Sequence, residues 1–89
     1  MAKKRRKLNK DFEKKIYSSK KNVELVLAKI YDIDDEDIQK EYMGAFNKVV
    51  YLYDALKEDY ERQGFTDISE ELLTNYKIAF NLFESEFEI

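Results

Sequence analysis

The chain has 89 residues, 44% apolar and 15% aromatic, enough for one domain with a modest core and too apolar to be disordered throughout. It has no cysteine and no histidine, which excludes a disulfide framework, thiolate chemistry and the commonest metal ligand and general base. The net charge of −3 hides an asymmetry: residues 1–30 hold 11 lysines and arginines against three acids, whereas residues 31–89 hold five against 16.

The absence of proline and the presence of only two glycines suit helices and starve turns, so an all-α fold is expected. No apolar run approaches the roughly 20 residues of a membrane span, and the basic N-terminus lacks the apolar stretch of a secretory signal. The interior of a cell, the cytoplasm, is the expected location. No membrane, metal or cofactor is expected as a partner.

The first seven residues contain the run Lys3-Lys4-Arg5-Arg6-Lys7. Like charges at this density repel, so residues 1–8 are expected to form a flexible basic tail. Such a run attracts nucleic acid through counterion release without reading its sequence, and it equally suits a solubilising terminus or one folded onto the acidic remainder of the chain.

A single domain is expected over residues 9–89. From about residue 9 to 31, Phe12, Ile16, Val23, Val26, Leu27 and Ile30 recur on one helical face. Ser18-Ser19 is a weak spot in this helix, but the stripe keeps its phase across it. Lys14, Lys21 and Lys29 fall on the opposite face, with Leu25 among them.

The acidic stretch Asp32-Ile33-Asp34-Asp35-Glu36-Asp37 superficially resembles a calcium loop. It fails that reading because the positions that need glycine and glutamate hold Asp37 and Met43. Capping explains the acids better: Asp34 is the expected cap of the next helix, with Ile33 and Ile38 as its hydrophobic staple.

That helix, expected over 35–63, is the organising element. Ile38, Tyr42, Ala45, Val49, Leu52 and Leu56 form its seam, and Phe46, Tyr53 and Tyr60 widen one flank. Gly64 provides the stop, and Phe65 is expected to fold back on the last turn. A final helix is expected over 68–87, started by an Asp67/Glu70 capping box or by Ser69 with an Ile68–Leu73 staple. Its inner stripe is Leu72, Leu73, Tyr76, Ala79, Phe80, Phe83 and Phe87. Short connections make the three helices antiparallel neighbours, an up-down-up three-helix bundle with a long central helix.

Catalysis is not expected, because nucleophile–base pairs and phosphate-binding glycine loops are both absent. Two surface signals point instead to protein binding. Tyr51 lies opposite the core stripe with Gly44, Asn47, Asp54, Ala55 and Glu58 around it, and tyrosine is enriched at interface hot spots. Ile78, Leu82 and Ile89 form an aliphatic strip where a bundle should be polar. An ordinary exposed tyrosine and a widened core arc are the alternatives to these two readings. The acidic majority can also steer the chain towards a basic partner.

In size and in its Lys-, Ile- and Tyr-rich, Pro-poor composition the whole chain resembles small helical proteins of low-GC bacteria and their phages. These include anti-CRISPR and other host-takeover inhibitors, antitoxins and bacteriocin immunity proteins. The resemblance implies a phage- or mobile-element-encoded regulator or inhibitor aimed at a nucleic-acid-handling protein. No motif carries it, so it assigns no residue a role. A nucleic-acid-binding accessory protein using Lys3, Lys4, Arg5, Arg6, Lys7, Lys10, Lys14 and Lys21 is the alternative, and a structural homo-oligomer, beginning with a homodimer, is a further one.

Overall fold

The computed structural model describes residues 7–87; the expected tail residues Lys3, Lys4, Arg5 and Arg6, and Ile89 of the aliphatic strip, lie outside them. Three helices follow in order: α1 (Lys10–Tyr31), α2 (Glu36–Gln63) and α3 (Ser69–Phe87). The central helix packs against both others, giving the three-helix bundle that the apolar periodicity predicts. At about 1.5 Å per residue its 28 residues make a rod of about 42 Å, too long to be stable without lateral partners.

Helix α1 starts at Asn9, whose side chain accepts a hydrogen bond from the Phe12 backbone N–H at 3.0 Å. It runs unbroken through Ser18-Ser19. Ser19 is buried and returns its hydroxyl to the Lys15 carbonyl at 2.8 Å, so the polar pair costs no unsatisfied group.

The cap of α2 is Asp35, one residue beyond the expected Asp34. Its carboxylate accepts from the backbone N–H groups of Asp37 and Ile38. This shift moves Ile33 and Ile38 out of staple register and leaves Ile38 exposed. Gln39 takes over the joint instead: its side-chain amide donates to the carbonyls of Ile30 and Tyr31, both at 3.2 Å, closing the free end of α1.

Gly64 ends α2 with a positive φ of 76°, which favours glycine, and its N–H reaches the Tyr60 carbonyl at 2.8 Å. Phe65 does not fold back onto α2 alone. Its ring meets Phe12 of α1 edge-on at 5.1 Å, and its N–H donates to the Lys7 carbonyl at 2.6 Å. Neither expected start of α3 forms. The buried Ser69 hydroxyl accepts from the Thr66 N–H at 2.8 Å, and the Thr66 hydroxyl accepts from Ile68. Ser69 thus ties the turn together from inside.

The core is Phe12, Val23, Val26 and Ile30 from α1, Phe46, Val49, Tyr53, Leu56 and Tyr60 from α2, and Leu73, Tyr76 and Phe83 from α3. On α2 the centre of this set lies on the flank line Phe46–Tyr53–Tyr60. The expected seam residues Tyr42, Ala45 and Leu52 are only half-buried. A helix packed on two sides needs a broader stripe than a single seam.

Candidate interaction surfaces

The two sides of α2 are bonded differently. Against α3 the contacts are aromatic: Phe46 meets Phe83 at 4.8 Å and Phe80 at 6.1 Å, Tyr53 meets Tyr76 at 5.9 Å, and Tyr42 meets Phe87 at 4.8 Å. Against α1 the Phe12 ring meets that of Tyr60 at 5.6 Å, and the Tyr60 phenol adds hydrogen bonds. Tyr60 accepts from the Asn9 N–H at 3.1 Å and donates to the Glu13 carboxylate at 2.5 Å, a charge-assisted bond. Helices α1 and α3 touch each other little; the Tyr76 hydroxyl bridges them by donating to the Ser19 carbonyl at 3.3 Å. Burial pushes the Tyr76 phenol up to about 12, against the opposing effect of Ser19, and burial also raises Tyr53, with Asp54, Glu24 and Glu61 adding to it.

This packing leaves two surface regions of distinct chemistry. The first is the outer face of α2 and α3. Tyr51 is 72% exposed and stands over an open groove of about 420 Å³ with Asn47, Lys48 and Leu52. Leu82, 64% exposed, lines a second groove of about 240 Å³ between the helices, with Ala45, Lys48 and Ala79. Lys48 lines both grooves. Asp54 and Glu58 are exposed and Ala55 is half-buried on α2, and Ile78 is exposed one turn before Leu82. Gly44 is open: a Cβ there would meet nothing within 4 Å, so packing does not require the glycine. Leu82 of the aliphatic strip and Tyr51, read separately from the sequence, thus each line a groove that Lys48 also lines. Lys48, Ala45 and Ala79 were missed because periodicity assigns residues to one helix at a time, while the groove belongs to two.

The second region is the seam between α1 and α3. One stretch encloses about 370 Å³ over a floor of Val26, Tyr76 and Phe80, with Leu25, Lys29 and Glu84 at its edge. The adjoining stretch, about 300 Å³, is lined by Lys14, Lys15, Ser18, Ser19, Asn22 and Lys77. Lys10, Lys14 and Lys21 lie together along the outer side of α1, where Tyr17 is exposed and the Lys21 ammonium sits 5.0 Å from its ring centroid. Lys7 is exposed and tethered through its carbonyl to Phe65. The structure thus adds Lys15 and Lys77 to the expected basic set.

Among the described residues no group of His, Cys, Asp or Glu is arranged to hold a metal ion, and no helix is long and apolar enough to cross a membrane. No family model matches the chain, and no curated protein or solved structure matches it either.

Proposed function

We propose that the chain is a small non-enzymatic regulator or inhibitor that works by binding a protein through the outer face of α2 and α3. The supporting observation is that the exposed Tyr51 and Leu82 each line a groove and that Lys48 lines both. A fold of this size gains little from leaving such side chains in water, whereas an aromatic and an aliphatic anchor flanking shallow apolar grooves is the usual anatomy of a hot spot. The nearby Asp54 and Glu58 supply steering towards a basic partner. The composition points to a bacterial target, and a nucleic-acid-handling enzyme suits the acidic surface of α2 and α3.

The test is affinity capture from a nuclease-treated lysate of a low-GC bacterium, read by mass spectrometry, with Tyr51→Ala and Leu82→Asp as matched baits. Both positions are exposed, so far-UV helicity should be unchanged. The expected result is one defined protein held by the wild type and lost from both variants. Equal capture by all three baits removes this face from the function. A mass that rises with concentration, and falls to the monomer in the variants, assigns the face to a homodimer instead.

A further inference from the structure

The seam between α1 and α3 has a chemistry that the protein-binding face does not share. The 300 Å³ stretch is lined by three lysines, two serines and an asparagine, and no carboxylate lines it. Lys14 and Lys15 come from α1 and Lys77 from α3. The rest of α3 carries Glu70, Glu71, Glu84 and Glu86, so Lys77 is its only cation, and it stands across the seam from the two lysines of α1. None of the three lysines is held in an ion pair among the described residues. Like charges facing one another across a groove cost stability, and an acidic protein had carboxylates available to offset them.

We propose that this seam, with the outer side of α1, binds the phosphodiester backbone of a nucleic acid. Phosphates would lie between Lys14, Lys15 and Lys77, where the Ser18 hydroxyl and the Asn22 amide offer uncharged donors. Lys10 and Lys21 add positive charge along α1 over 11 residues, about 16 Å at about 1.5 Å each, with Asp11 and Glu13 as the acids interspersed near its start, and this length spans several phosphates. Lys7 is held at the start of α1 through its carbonyl. Binding of this kind is sequence-independent. An acidic peptide would find the same lysines, but the length over which they are spread on α1 favours a continuous polyanion. The grooves of the outer α2–α3 face contain no α1 residue, so both surfaces can be occupied together.

The test is fluorescence anisotropy of the full chain with a labelled single-stranded oligonucleotide and with its duplex, over a series of salt concentrations. Lys77→Glu is the decisive variant, because it lies on α3, far in sequence from the basic run. Lys14→Glu is its partner, and Lys77→Arg is the conservative control; circular dichroism checks that each is folded. The expected result is binding that weakens with salt, a loss of about tenfold in Lys77→Glu and in Lys14→Glu with a salt slope smaller by about one, and retention in Lys77→Arg. No binding by the wild type overturns the proposal. So does unchanged binding by both charge-reversed variants, which would place the contact in the basic run alone. Binding of poly-glutamate in preference to both oligonucleotides would overturn it in favour of an acidic protein segment.

Discussion

The α2–α3 interface and the attachment of α1 solve the same problem by different means. Between α2 and α3, rings from both helices interlock along most of the contact, from Tyr42–Phe87 to Tyr53–Tyr76. Helix α1 buries Phe12, Val23, Val26 and Ile30 but is secured at its ends by polar groups. Tyr60 and the Lys7–Phe65 bond hold its start, and Gln39 holds its finish. Apolar burial is strong and largely non-directional, whereas hydrogen bonds are individually modest and fix position. The first arrangement supplies cohesion. The second places one helix accurately while leaving its other flank open, and that flank is where the lysines gather.

The contrast can be broken most severely at Phe46, which is fully buried between Phe80 and Phe83. Phe46→Ala should cost about 3–5 kcal/mol, a large share of the total of about 5–15 kcal/mol for a domain. Urea denaturation should show the whole bundle losing helicity in one step at a lower midpoint. A variant that loses only the signal of α1 would mean that α2 and α3 cohere without this ring.

A smaller effect belongs to Tyr76, which links the two regions. Its phenol is raised from 10.0 to about 12 by burial, so the folded state keeps a proton that the unfolded chain gives up. Its contribution is therefore fully present below pH 10 and is lost as the pH rises from 10 towards 12. Tyr76→Phe loses the bond to Ser19 at neutral pH, at a cost of about 0.5–1.5 kcal/mol, but escapes the alkaline penalty. Thermal melts of both proteins should show a gap that closes or reverses above pH 10; a constant gap would sink the assignment.

An effect of similar size, confined to one end of the bundle, is expected at the far joint. Gln39→Ala removes two bonds to the last carbonyls of α1 and should cost about 0.5–1.5 kcal/mol. Hydrogen exchange should quicken in the last turn of α1 and stay unchanged in α3. Equal quickening in all three helices would show that the joint serves the whole bundle.

Much of the architecture is legible in the sequence, because a period of 3.6 and a shortage of proline and glycine specify helices directly. The bounds of α2 are readable to within a residue from Asp34 and Gly64, although the cap proves to be Asp35. The details of the joints are not. The staple pattern of Ile33 and Ile38 points to Asp34 as the cap, and only the closed loop selects Asp35; Gln39 gives no warning that it will reach α1. The Ser69 lock depends on the Gly64 turn, which brings Thr66 onto it. For the surfaces, Tyr51 and Leu82 stood out as apolar residues on polar faces. Lys77 did not, since one lysine among glutamates looks like ordinary helix-surface pairing until α1 is laid beside it.

The sparse contact between α1 and α3 has a consequence for how the molecule forms. Nearly all its packing joins helices that follow one another in the chain, so only short loops must close before burial begins to compensate for lost entropy. Kinetically the bundle is two helical hairpins sharing α2 as a common strut. Either hairpin can nucleate on that strut without waiting for the other, and neither has to thread past a finished partner. Such a topology favours fast assembly and leaves little time for the aromatic surface of α2 to be exposed in a half-built state.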